Sequence, residues 1–268
     1  MDMVREAVSE PAVNLRHLPF ELDAGIGARA RIGVMVLATD QTLEHELRRL
    51  LRLDGVAYYE SRLFNDATIT AETLREMEAR LPEAAGLILP GMDLNVVAYA
   101  CTSGAMAIGE DVVFERIREV RPGIACTTPI TAAMAGIEAL GARRIALLTP
   151  YRDDLNQSMR SWIEARGVSV PVVGSFNEED DLKAARISVA SIERAVIEVG
   201  RHPEVDAVFV ACTSLRVADI IASAEETLGK PVTSSNHALA WHCLRLAGVD
   251  DALPQFGRLY TMPLASRG

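Results

Sequence analysis

The chain has 268 residues, of which 49% are hydrophobic, 24% charged and 5% aromatic, and it carries a formal charge of −10. This balance suits a globular protein and argues against a nucleic-acid partner, because phosphate binding needs a basic face. No apolar run reaches the roughly 18 residues of a membrane span, and the first residues are acidic with no apolar leader, so a cytoplasmic protein is expected. Four cysteines with no CxxC pair do not make a disulfide framework. His237 and His242 stand five apart and so on different faces of a helix, which disfavours a metal site.

Residues 1–30 show weak periodicity and end in Gly25-Ile26-Gly27-Ala28. They read as an N-terminal arm that lies on the body or pairs with another subunit. The glycines precede the first strand, so they do not form a dinucleotide fingerprint. The apolar run 32–37 predicts a strand, and Thr39-Asp40 can cap a helix over 41–53. A strand over 56–61 follows, then an amphipathic helix over 71–81 carrying Leu74, Met77 and Leu81. The run 95–100 leads into Cys101-Thr102-Ser103-Gly104, followed by a helix over 111–120, a strand over 124–126 and a helix over 130–140.

The second half repeats this grammar, with strands at 144–148, 168–175, 207–211 and 231–233. Helices are expected over 155–166, 181–199 and 217–228, and after Ser234-Ser235-Asn236. Alternating strands and helices predict an α/β fold of two similar doubly wound parallel-sheet lobes. The expected lobes are 31–125 with 231–268, and 126–230. Arg31 lies 70 residues before Cys101, and Arg144 lies 68 residues before Cys212-Thr213-Ser214. A pseudo-twofold axis between the lobes would bring both Cys-Thr-Ser turns to one interface.

Ligands of open α/β sheets bind beyond the carboxyl ends of the strands, where both turns fall. A thiol needs help to become a thiolate, and backbone N–H groups at a following helix can supply it. Those groups and the hydroxyls of Thr102, Ser103, Thr213 and Ser214 can hold a carboxylate, or the enediolate left after α-proton loss. Two thiols on opposite faces of one carbon permit racemisation without a cofactor. One thiolate adding to a double bond permits cis–trans isomerisation instead. Cys126 and Cys243 lack this matched setting and read as packing.

The paired turns, Thr149-Pro150-Tyr151 with Asn156, and Ser234-Ser235-Asn236 resemble the aspartate/glutamate racemase superfamily. The resemblance is strongest to its branch of maleate cis–trans isomerases and arylmalonate decarboxylases. It implies that Tyr151 and Asn156 grip a substrate carboxylate and that Cys101 and Cys212 are catalytic. It also implies a homo-oligomer and no cofactor. Maleate isomerases carry Asn where this chain has Asp40, which would repel a second carboxylate and welcome an ammonium group. The stretches 37–42, 59–66 and 174–178 are most similar to the ectoine-utilisation member, whose resemblance implies a diaminobutyrate-type substrate. Arg62 could pair with a substrate acid group. A racemase or epimerase of an amino-acid-like carboxylate is therefore expected; the alternatives are maleate isomerisation and a small-carboxylate binding or sensing protein.

Overall fold

The computed structural model describes residues 13–265 apart from 67, 69 and 179. Its first sheet is built from β1 (Ala30–Leu37), β2 (Val56–Leu63), β3 (Val96–Tyr99) and β4 (Ala125–Thr127), all parallel, in the order β2-β1-β3-β4. Between these strands run α1 (Leu43–Leu50), α2 (Ala71–Arg75), α3 (Leu81–Leu87), α4 (Thr102–Ile108) and α5 (Glu110–Arg118). The second sheet repeats the order as β6-β5-β7-β8, from β5 (Arg144–Thr149), β6 (Ser169–Ser175), β7 (Ala207–Val210) and β8 (Val232–Ser234). Its helices are α6 (Pro129–Ala139), α7 (Asp153–Glu164), α8 (Asp181–Ala184), α9 (Val189–Gly200), α10 (Ile221–Leu228) and α11 (Ser235–Leu246). The central strands are buried almost throughout, which explains their unbroken apolar runs: helices cover both faces of a parallel sheet.

Several elements differ from expectation for local reasons. The helix expected over 71–81 stops after Arg75, and Pro82 sits in the first turn of α3, where its missing N–H costs nothing. The stretch after Cys101 forms α4 at once, and Gly109 at φ +98° separates it from α5. The long helix over 181–199 divides, because Ser188 caps α9 through the Ser191 N–H. After β7 the chain does not enter a helix until Ile221.

The strand at 232–234 pairs with β7 in the second sheet, so the return to the first lobe comes after Ser234 and not at 231. There α11 crosses over: it packs on β3, β4 and α1 of the first sheet, and along α6. Helix α6 leaves β4 and in turn touches β8.

Of the expected arm, residues 1–12 lie outside the described residues. Leu15, Leu18, Phe20 and Leu22 are exposed. The chain joins the body where the Arg29 N–H donates to the Gly55 carbonyl at 2.7 Å and its guanidinium pairs with Asp251. Among the described residues no helix is long and apolar enough to cross a membrane.

Candidate active site

The order of each sheet reverses direction between β1 and β3, and between β5 and β7, and such switch points leave a crevice at the carboxyl ends of the strands. One small cavity, of about 30 Å³, collects residues from both crevices: Cys101, Thr102 and Ser103 from one, Tyr151, Cys212 and Thr213 from the other. This volume holds one or two waters. A four-carbon acid therefore enters only when the walls part. An isolated antiparallel bridge between Thr68 and Asp180 joins the loop after β2 to the loop after β6 beside this cavity.

Cys101 ends β3 and caps α4, its sulfur accepting the Gly104 N–H at 3.2 Å with Ser103 Oγ 3.9 Å away. Gly104 makes this approach possible. A Cβ there would come within 2.8 Å of the sulfur and closer still to the Tyr99 hydroxyl. Cys212 ends β7 with φ +133°, a backbone state that costs a non-glycine residue about 1–3 kcal/mol and clusters at functional sites. Tyr151 lines the cavity together with both turns, and burial, with the neighbouring Cys212 thiol, pushes its phenol pKa well up.

The sequence places Ser234-Ser235-Asn236 just before a helix and assigns Ser235 and Asn236 no part in the site. Ser234 is the residue that caps α11, accepting the His237 N–H at 3.2 Å. Ser235 Oγ instead accepts the Cys212 N–H at 3.1 Å and lies 2.8 Å from Thr102 Oγ1, tying the two turns together. Asn236 Nδ2 donates to the Thr213 carbonyl and to Glu46 Oε2, both at 2.8 Å. Glu46 Oε1 accepts the N–H groups of Val217 and Ala218 at 2.6 and 2.7 Å. Thus α1 holds the non-helical segment that follows Cys212. The signal was present: Glu46 shares the buried stripe of Leu43, Leu47 and Leu50, where an acid needs a reason. Burial raises its pKa to about 7, against the pull of those donors.

Three expected site residues stand behind the cavity wall. Asn156 is buried, but Thr149 Oγ1 donates to its Oδ1, and its Nδ2 donates to the Tyr151 carbonyl at 2.8 Å. Both ends of the amide are spent on the Thr149–Tyr151 turn, so it positions Tyr151 and does not face the cavity. Ser214 Oγ donates to Asp181 Oδ1 at 2.6 Å. Asp40 Oδ1 accepts the Thr42 and Leu43 N–H groups at 2.7 and 2.8 Å, holding the start of α1, while Oδ2 makes no hydrogen bond. Burial raises the Asp40 pKa, opposed by those two N–H groups. Arg62 lies in β2 and donates to the carbonyls of Leu37, Ala38 and Asp40 at 3.1–3.2 Å. It staples the turn that carries Asp40.

Burial pushes the Cys101 thiol up to about 11 and Cys212 to about 12. Cys126 and Cys243 rise to about 11 and about 12 for the same reason. The unfolded thiols titrate near 8.5, so folding binds extra protons in alkaline solution. Stability present below about pH 8.5 is then lost as pH rises through 11. Thiolate ultraviolet absorbance should be nearly absent in the native protein at pH 9 and appear at that pH on adding denaturant. Substantial native absorbance there would mean that a thiol is activated without ligand.

A pair of equivalent parallel sheets, each ending its third strand in a free thiol that faces a shared cavity, defines a cysteine-based α/β enzyme. The chain belongs to the arylmalonate decarboxylase family, whose model matches residues 67–260. It is 30% identical over 197 residues to the arylmalonate decarboxylase of Bordetella bronchiseptica, covering 73% of this chain and 79% of the relative. The crystal structure of the maleate isomerase of Pseudomonas putida S16 superposes with a TM-score of 0.80 at 26% identity, over 87% of this chain and 98% of that one. A cysteine mutant of the Nocardia farcinica maleate cis–trans isomerase, with a covalently bound succinylcysteine intermediate, superposes with a TM-score of 0.79 at 26% identity, over the same shares.

Proposed function

We propose that the protein is a cofactor-independent isomerase in which Cys101 and Cys212 move a proton across one carbon of a small amino-acid-like carboxylate. The observation that carries this reading is the convergence of both strand-end thiols on one buried cavity. Similarity to maleate isomerases, one of them held as a succinylcysteine, supports cysteine-based isomerisation. Cys101, which accepts the Gly104 N–H and caps a helix, is the better seat for a thiolate. It takes the α-proton while the Cys212 thiol delivers its own proton to the opposite face. Water exclusion protects the carbanion between the two transfers. Tyr151 and the Thr102 and Thr213 hydroxyls line the space that the substrate carboxylate would fill.

The test is proton NMR in deuterium oxide with 2,4-diaminobutyrate, aspartate and maleate. Diaminobutyrate-type acids are the class that the ectoine-utilisation resemblance implies. Exchange of an α-proton, dependent on both cysteines, is the expected result. No exchange with any amino acid, together with conversion of maleate to fumarate, would replace this reading with the second one.

That second reading is maleate cis–trans isomerisation: a thiolate adds to the double bond, the resulting single bond rotates, and elimination returns the thiolate. The similarity to maleate isomerases favours it. Buried Asp40 weighs against it, since its acid group behind the cavity wall, with one oxygen unpaired, would oppose the entry of two substrate carboxylates. Asp40→Asn is expected to improve maleate binding or turnover by roughly tenfold, the effect of removing about 1.4 kcal/mol of repulsion. Unchanged maleate kinetics would show that Asp40 only holds the start of α1.

A further inference from the structure

Asp181 opens α8, lines the cavity beside both thiols and is 7% exposed. Its two oxygens each accept a hydroxyl: Thr39 Oγ1 at 2.9 Å from the first lobe, and Ser214 Oγ at 2.6 Å from the second. Asn65 fixes Thr39 in turn, donating to its hydroxyl at 2.8 Å and accepting its N–H at 3.2 Å. Asp40 is 4% exposed, and its Oδ2 has no hydrogen-bond partner. Burial chiefly raises the Asp40 pKa and the charge of Asp181 adds to this, while the Thr213 side chain, which lines the cavity, opposes it. Among the described residues neither carboxylate forms an ion pair with a Lys, Arg or His.

Two buried acids, one lining a ligand cavity and one behind its wall, with no cation paired to them among the described residues, are stabilised by a positive group in that cavity. We propose that Asp181 and Asp40 together seat an ammonium group of the substrate, with Asp181 as the contacting residue in the cavity. This rests on the two-thiol isomerase reading and names its substrate class: a carboxylate carrying a primary amine. Each Asp181 oxygen keeps a lone pair beyond the hydroxyl it accepts, and Asp40, behind the cavity wall, adds its charge without touching the ligand. The charge of Asp181 also disfavours both thiolates. A bound ammonium cancels that effect. The proton of Cys101 then leaves to water more readily when a cationic substrate is in place, and the empty site stays unreactive.

The test uses the full chain with 2-aminobutyrate, 2,4-diaminobutyrate and 2-hydroxybutyrate, reading α-deuteration and ligand-induced thermal stabilisation. The wild type is expected to favour the amino acids. Asp181→Asn, which keeps the size and an acceptor oxygen, should raise KM for them by about 10–100-fold, the effect of losing a hydrogen bond to a charged group. The hydroxy acid should be unaffected or improved, a selectivity change that a merely structural role would not produce. Should Asp181→Asn fold poorly by its melting curve, Asp40→Asn reads the same selectivity. Equal preference for amino and hydroxy acids in the wild type, or no change of preference in either variant, would overturn the seat. If cysteine-dependent turnover persists in that case, the isomerase reading stands without it. Failure of both amino acids either to exchange or to stabilise the wild type would overturn the seat as well. Cysteine-dependent conversion of maleate to fumarate alongside that failure would retain a two-thiol isomerase of dicarboxylates.

Discussion

Replacing Cys101 or Cys212 with serine should lower turnover by about 10³-fold or more while the protein remains folded. A positioned acid or base contributes roughly 10²–10⁴-fold, and a serine hydroxyl can neither ionise as a thiol does nor return a proton as readily. Both thiols are buried at strand ends, where serine is close in size and, at position 101, can take over the contact to the Gly104 N–H. A shift in melting temperature of about 2–4 °C corresponds to the ~1 kcal/mol of an ordinary substitution in a chain of this size. The measurement pairs α-deuteration or maleate conversion with a melting curve taken with and without substrate. A folded variant that still gains stability from substrate but does not turn it over separates chemistry from binding. Turnover surviving in one single variant would mean that one thiol suffices, and the two-sided proton transfer would fall.

The second large effect is expected at Glu46, which does not line the thiol cavity. Glu46→Ala leaves three buried N–H donors without an acceptor: those of Val217 and Ala218 and one of the two on the Asn236 amide, whose other donates to the Thr213 carbonyl. At about 1–3 kcal/mol for each unsatisfied group, the loss is at least ~3 kcal/mol. Activity should fall further than stability accounts for, because the same contacts hold the segment that follows Cys212, the residue whose own φ is +133°. Denaturant unfolding and turnover on one preparation check this. A loss under about 1 kcal/mol with full activity would show that water satisfies these donors. Glu46→Gln keeps an acceptor for the two backbone N–H groups but meets the Asn236 amide donor head-on. It should therefore be intermediate.

The repeat of strand, helix and Cys-Thr-Ser turn was legible because central parallel strands are uniformly apolar and chemistry collects at their carboxyl ends. The thiols were found on that basis and Tyr151 through the family resemblance, and the three line one cavity. Asn156 misled because a buried amide near a strand end reads alike whether it faces a ligand or ties down a turn. Only its two hydrogen bonds distinguish the cases. Asp181 was hidden as an ordinary acid in the first turn of a long helix, since the break at 185–188 does not show in the apolar spacing. Ser235 was beyond reach. Its partners, Thr102 and Cys212, lie 133 and 23 residues away, and no local pattern encodes that meeting.

The crossover of α11 has a consequence for how the chain can be divided. The first sheet owes part of its cover to a helix made last, from residues 235–246. A fragment ending near residue 140 would keep all four of its strands yet leave one face of β3 and β4 bare, open to self-association. The internal repeat is therefore not a pair of folding units. Two half-length chains could reproduce these contacts only by trading their final helices, as a swapped dimer does.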